Sequence, residues 1–171
     1  MKLSTNKTPS SLFKIRFNDC DMFGHLNNAR FIDYLINARQ DHLKEHYDFD
    51  FMEYYRNGLG WVVGTHEIAY LKPAVFDEVV SIQSALLQAE TDSLFVETLM
   101  MNKDENHIKA IMRTKLILIN LKTGKKEPHP PEFMDWAKTL VVDASFSQSN
   151  IQDRIKQILT ELKQNRANLS N

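Results

Sequence analysis

The stretch Ile15 to Arg39, IRFNDCDMFGHLNNARFIDYLINAR, contains the change of pattern that decides the fold. It begins inside LFKIRF, Leu12 to Phe17, where apolar and charged side chains alternate as in a half-buried strand. A polar loop with one glycine follows, NDCDMFGHLNN. From Asn28 to about Tyr47 the period becomes helical: Phe31, Tyr34, Leu35 and Ala38 fall at i, i+3, i+4 and i+7, with no interior Gly or Pro. Asn27 stands where an N-cap belongs. Ile32, Ile36 and Leu43 carry apolar side chains around much of the circumference, which predicts a helix wrapped by other structure.

Working outward, residues 48 to 60 form a polar and aromatic connection ending in Gly58 and Gly60. Four strands are then expected, roughly Trp61 to Leu71, Val79 to Glu90, Ser93 to Asn102 and His107 to Asn120, separated by the turn compositions KPAVFD, ETD and KDEN. In the last strand Ile108, Ala110, Met112, Thr114, Leu116 and Leu118 share one face and Lys109, Arg113 and Lys115 the other, which predicts a sheet covered on one face. KTGKKEPHPP, Lys122 to Pro131, is a turn and a Pro-rich exit into a short helix from Pro131 to about Leu140. In the tail, Ile151, Ile155, Ile158, Leu159 and Leu162 lie at offsets 0, 4, 7, 8 and 11, an amphipathic helix whose stripe is expected to pack across a neighbouring subunit.

The expected architecture is α+β: a long central helix wrapped by a curved antiparallel sheet of about five strands, with a C-terminal helical extension. The chain divides into a flexible arm (1–11), one domain (12–141) and the extension (142–171). A long exposed sheet edge has to be covered or paired, so a dimer joining two sheets edge to edge is expected.

Composition removes several classes of function. With 171 residues, about one domain plus an extension fits the length. The net charge of −1 lacks the basic excess that neutralises a row of phosphates, so no nucleic-acid partner is expected. The single cysteine, Cys20, cannot form an internal disulfide, and MKLSTNKTPSSLF has no apolar run like that of a secretory signal. No stretch approaches the roughly 18 consecutive apolar residues of a membrane span. A cytoplasmic protein without a membrane span is expected.

The loop places Asp19, Asp21, Gly24, His25, Asn27 and Asn28 between a strand and a helix start. The first turn of a helix has unpaired N–H groups and a partial positive charge, which suit an oxygen that gains negative charge during a reaction. A carboxylate nearby can attack a carbonyl or activate water. The same residue types are also ordinary loop and capping residues.

Asp19, Asp21, Gly24, His25, Asn27, Asn28 and Phe31 resemble the D-x-D-x-x-G-H-x-N-N-x-x-[FY] signature of hot-dog-fold acyl-CoA thioesterases, the 4-hydroxybenzoyl-CoA thioesterase-like family. The resemblance extends to about residue 137 through HEIAYLKPAVFDEVVSIQ, His66 to Gln83, and leaves the tail from about Val142 outside. It implies a hot-dog fold that cleaves an acyl-CoA or acyl-carrier-protein thioester to a carboxylic acid and a thiol, without cofactor or metal. It further implies a homodimer, possibly a tetramer, with the site at the subunit interface. Asp21 would be nucleophile or general base, the Asn28 backbone N–H would polarise the carbonyl, and His25 would assist. Gly24, allowing close approach of chain and substrate, and Asn27 would border the substrate.

Two departures from relatives stand out. The D-x-N-x-H pattern of plant acyl-carrier-protein thioesterases has Phe23 in place of its Asn, and Ile36 and Asn37 stand where relatives often carry Glu. A non-hydrolytic acyl-thioester binding module on the same fold is the alternative. A third is a zinc peptidase, because His42-Leu43-Lys44-Glu45-His46 matches H-x-x-E-H. Lys72, Arg113, Lys125 and Lys126 are basic candidates for CoA phosphates. Gly58-Leu59-Gly60 and KTGKK do not continue into phosphate-binding patterns.

Overall fold

A computed structural model describes residues 6–143 and 150–169; the first five residues of the expected arm, and 144–149 and 170–171 of the extension, lie outside the described residues. The long helix, α1, runs Asn28–Tyr47, and the side chain of Asn27 caps it by accepting from the Ala29 N–H. It ends at Asp48 in the left-handed conformation, φ 51°, whose N–H returns to Leu43 and Lys44 carbonyls.

Five strands form one antiparallel sheet: β1 (Ser10–Lys14), β2 (Leu59–Tyr70), β3 (Val79–Ala89), β4 (Ser93–Asn102) and β5 (Ile108–Asn120), in the order β1-β3-β4-β5-β2. The sheet closes on α1. Phe31, Leu35 and Ala38 pack against Val80, Ile82, Met100, Ala110 and Met112 from the sheet's inner face, and Ile15, just past β1, joins the same cluster. Beyond the C-terminal end of α1, Tyr47 and Phe49 meet Phe133, Trp136, Ala137 and Leu140 of a further helix, α3 (Pro131–Leu140). Burial of such side chains contributes roughly 1.5–3 kcal/mol each before entropy is counted, and it holds α1 at one rotation in the sheet.

Four expectations change. The α1 circumference is not wrapped throughout, since Asp33, Asn37, Gln40, Asp41 and Lys44 form an exposed polar face. The connection after α1 contains a short helix, α2 (Phe51–Arg56), capped by Asp50; six residues are too few to show a period. The first strand begins at Ser10 and stops at Lys14, leaving Phe17 in a 3₁₀ turn (Phe17–Asp19) and 76% exposed. The described part of the arm is tied down by the Ser84 N–H to Pro9 carbonyl bond, the Tyr47 hydroxyl to Asn6 carbonyl bond, and Lys7 Nζ to the Val141 carbonyl.

The fourth change concerns the sheet, which has both faces covered over part of its area. The tail helix, α4 (Ile151–Leu169), lays Ile151, Ile155 and Ile158 on Leu99, Met101, Ile108 and Ile111 of its own chain. The stripe expected to reach a neighbouring subunit is thereby used within the chain, although Leu159 stays 40% exposed. Ile108 joins this outer cluster because the β4–β5 register shifts between Met100 and Met101: Met100 faces Ala110 but Met101 faces Ile108. Lys109 is the extra residue, and its Nζ binds the Pro73 carbonyl and Glu78, both at 2.8 Å. Strand alternation alone, read from residue types, does not reveal such a bulge.

Between the outer face and α4 lies a buried charge cluster. Glu97 accepts from Arg113, its β5 neighbour, at 3.0 Å and from Arg154 of α4 at 3.1 Å, and all three residues are at most 5% exposed. Removing one partner of a buried pair costs about 3–5 kcal/mol, because the remaining charge stays in low dielectric. Glu97→Ala should therefore destabilise the fold by about that much, measured by urea unfolding. Lys156→Ala, which breaks only an exposed pair with Asp153, should change stability by less than ~1 kcal/mol.

Candidate active site

The loop between the 3₁₀ turn and α1 is held from both sides. Asp19 accepts the Tyr34 hydroxyl at 2.9 Å and lies 3.7 Å from Arg30, so the first Asp of the D-x-D pair joins the loop to α1. Burial raises the pKa of the Tyr34 phenol, as befits a hydroxyl that donates to a carboxylate. On the opposite side the Leu26 N–H binds the Ala74 carbonyl at 2.8 Å, and the Phe76 N–H binds that of Gly24 at 2.9 Å.

Within this frame Asp21 to His25 form a tight turn. The Asp21 N–H donates to the His25 carbonyl at 2.8 Å, and the Gly24 N–H donates to the Asp21 carbonyl at 3.0 Å. Gly24 has φ +73°, and a Cβ there would meet no atom within 4 Å. The left-handed backbone by itself calls for glycine at this position.

Asp21 Oδ1 accepts the N–H of Phe23 at 2.9 Å and of His25 at 3.1 Å. Its Oδ2 has no partner among the described residues. His25 thus reaches Asp21 through its backbone, and its ring lies against Phe23 at 6.5 Å between centroids. Asn27 spends its side-chain oxygen on the Ala29 N–H at 3.0 Å, and its own N–H on the Asp19 carbonyl at 3.0 Å. With the cap serving Ala29, the N–H of Asn28 is left without an acceptor among the described residues, at the positive end of a 20-residue helix.

Asp21, His25 and Asn28 share one open cleft of about 280 Å³ with Leu26, Phe31, Tyr70 and Lys72, while Gly24 and Asn27 hold the turn and the helix cap behind it without lining it. The site can combine a carboxylate oxygen free to act as base or nucleophile with a helix-start N–H free to stabilise an oxyanion. Tyr70, which donates to the Asn28 carbonyl at 2.9 Å, is the wall residue that sequence reading missed, although it opens the Y-x-x-P-A turn. Of the basic candidates only Lys72 borders the cleft. Arg113 is buried on Glu97, Lys126 lies 3.6 Å from Asp92, and Lys125 belongs to the turn after β5.

The H-x-x-E-H match is no metal centre here. His42 is fully buried and both of its ring nitrogens are engaged, Nε2 with Ser11 and Nδ1 with Ser84, each at 2.8 Å. No group of three potential metal ligands occurs among the described residues. No helix among them is long and apolar enough to cross a membrane.

Burial pulls the His42 imidazole down to about 4, the nearby His46 adding to the effect. A histidine held neutral in the fold but free to protonate when unfolded stabilises above its unfolded pKa of about 6.5. Stability should be lost as pH falls from about 6.5 towards 4, by up to ~3 kcal/mol from this group. Urea midpoints at several pH values should show a shallower acid slope for His42→Gln than for the wild type.

A thioesterase-like superfamily model matches residues 15–137. The long-chain acyl-CoA thioesterase FadM of Escherichia coli (strain K12) is 30% identical over 112 residues, covering 66% of this chain and 83% of that protein. Among solved structures, the YbaW probable thioesterase from Escherichia coli matches with TM-score 0.67 and 26% identity, over 78% of this chain and 98% of that one. The DHNA-CoA thioesterase from Staphylococcus aureus shares the fold, with TM-score 0.70 and 17% identity over 77% and 87% of the two chains.

Proposed function

Because the chain belongs to the thioesterase-like superfamily, we propose that the cleft between Asp21 and the start of α1 is where it hydrolyses an acyl-CoA thioester to a carboxylic acid and CoA. The observation that carries the assignment of residues is the pairing of two unspent groups: Asp21 Oδ2 and the Asn28 N–H. Asp19, Asp21 Oδ1, the His25 N–H and the Asn27 side-chain oxygen are already committed to holding the turn or capping the helix.

The thioester carbonyl oxygen binds the Asn28 N–H, where developing negative charge meets the helix dipole. Asp21 then attacks the carbonyl carbon, or takes a proton from a water that does so. In either route the C–S bond breaks and the sulfur leaves as thiolate, and in the first a water then hydrolyses the acyl–Asp21 anhydride, releasing the acid and restoring the carboxylate. Asp21 is kept in place by Phe23 and His25 backbone donors, so its orientation costs little at the moment of reaction. Gly24 and Asn27 shape the approach, His25 borders the acyl group, and Lys72 is placed to meet a CoA phosphate. A carrier-protein thioester would present the same reacting group.

The working form is a homodimer, in which two such clefts are completed across subunits, and its setting is the cytoplasm. The exposed β2 edge, with Val62 and Val63 40% and 47% exposed, supports pairing of this strand with its copy. Met22 and Phe23, 91% and 76% exposed beside Asp21, support a partner surface at the site itself. The domain proper is taken as residues 12–141, with 142–171 as an extension whose helix α4 lays its isoleucines on the outer face. A mass of twice the 19.9 kDa chain is expected by light scattering.

Asp21→Asn tests the mechanism cleanly, because an amide oxygen can still accept the Phe23 and His25 N–H groups while losing nucleophile and base. Thiol release from a panel of short, long and aromatic acyl-CoAs should fall by about 10²- to 10⁴-fold, with the melting temperature unchanged. Folded wild type that is stabilised by acyl-CoA yet releases no thiol from any of them would instead identify the non-hydrolytic binding module.

A further inference from the structure

Arg39 has no hydrogen-bond acceptor and no ion-pair partner among the described residues, yet it is half-buried in the seam between α1 and the sheet. It borders two small cavities of about 50 and 60 Å³, which also share Val96 and Leu116. The other walls are mainly aliphatic and aromatic, among them Leu35, Ile36, Leu43 and Trp61. Desolvation pulls the guanidinium down to about 10, with no carboxylate opposing it. The nearby His66 imidazole is lowered by burial and by the Arg39 charge, and it shares a 2.8 Å hydrogen bond with Thr114. The guanidinium keeps contact with solvent beside the exposed Val63 and His66, and an anion of matching planar geometry entering this mainly apolar seam would be its strongest partner.

The cavities lie in line with the catalytic cleft. Along α1 the wall residues run Asn28 and Phe31 at the cleft, Leu35 and Arg39 next, then Leu43 and Tyr47. Along β2, antiparallel to its sheet neighbour, they run Tyr70, His66, Val63 and Trp61 in the same sense. From the Asn28 N–H to Arg39 is eleven residues of helix, about 16 Å at ~1.5 Å per residue. A fully extended chain advances ~1.2 Å per bond, and a helical side chain leans back towards the N-terminus, so roughly 10 to 13 bonds span the distance. Phe31 and Tyr70, edge to face at 5.3 Å, stand between the cleft and the inner seam. Tyr70 is 41% exposed and its hydroxyl holds the Asn28 carbonyl at 2.9 Å, so an acyl chain entering the seam there displaces the ring at the cost of that one bond. A cavity of about 50 Å³ holds a few waters, hence a carboxylate.

We propose that Arg39 forms the far end of the acyl site and receives a terminal carboxylate, so that the preferred substrates are thioesters of medium-length dicarboxylic acids. The proposal rests on the assignment of Asp21 and Asn28 as the thioester end. Arg39 acts on specificity and not on the reacting atoms, and charge-assisted hydrogen bonds of this kind amount to about 10- to 100-fold in affinity.

The test compares mono-CoA thioesters of dodecanedioic and dodecanoic acids. For the wild type, kcat/KM should favour the dicarboxylic thioester by about 10- to 100-fold, Arg39→Met should erase the ratio, and Arg39→Lys should keep part of it. A wild-type ratio near one, or a ratio that survives in Arg39→Met, overturns the proposal. So does an unchanged ratio with loss of dimer mass, which would assign Arg39 to the subunit contact. Should Arg39→Met fail to fold, the wild-type ratio and its reduction in Arg39→Lys decide. If neither thioester is hydrolysed, the hydrolytic assignment fails separately, and thermal stabilisation by the same two compounds decides the Arg39 site. Stronger stabilisation by the dicarboxylic thioester that vanishes in the Arg39 variants supports it, and equal stabilisation or none overturns it.

Discussion

Packing of the α1 apolar face into the concave side of the sheet is the constraint on which the molecule depends. Phe31, Leu35 and Ala38 meet Val80, Ile82, Met100 and Met112, all nearly or fully buried. Interiors packed at crystal-like density do not let a helix rotate or slide by fractions of a turn without creating voids. Fixing Phe31 and Leu35 therefore also fixes the first turn one step earlier, where the Asn28 N–H is exposed. The oxyanion donor proposed for catalysis costs no side chain, because it is the unsatisfied end of an element that the core already requires.

The loop that brings Asp21 to that helix end follows a similar economy. Asp19, Gly24, the His25 backbone and Asn27 are all engaged in local bonds, and each satisfies a donor or acceptor that a polar loop would otherwise leave to water. Rigid support of a single free carboxylate oxygen is what a reaction with little reorganisation needs. The exposure of Met22 and Phe23 beside it is the opposite condition, apolar surface left to water, and it gives the proposed subunit contact its driving force.

The outer face obeys different physics. α4 contributes three isoleucines to an apolar contact, but it also brings Arg154 to Glu97 and Arg113. A buried ionic cluster adds little net stability over a hydrophobic replacement, yet it strongly penalises any arrangement in which one charge is left behind. It sets where the helix can dock, since an Arg154 displaced by one turn would bury its charge away from Glu97.

How much of this was legible in the chain depends on the range of the interactions concerned. The α1 limits, its Asn27 cap, the four later strands and the position of Asp21 beside a helix start follow from residues within a turn or a loop of one another. Local periodicity and capping chemistry are sufficient there. The β4–β5 bulge at Lys109 and the second covered face of the sheet were not legible. Neither was the occupation of both His42 nitrogens by Ser11 and Ser84. The second face and the His42 contacts depend on partners 31 to 57 residues away, and the bulge, although inside a hairpin, is held by Lys109 bonds to Pro73 and Glu78 more than 30 residues back; such meetings are decided by the register of strands and not by the neighbours of any one residue. The sequence by itself determined the α+β class, the helix and its cap, and the cluster of acidic and amide residues before it. Tertiary structure alone decided which of those groups remain unspent, because hydrogen-bond satisfaction is a property of the whole packed chain.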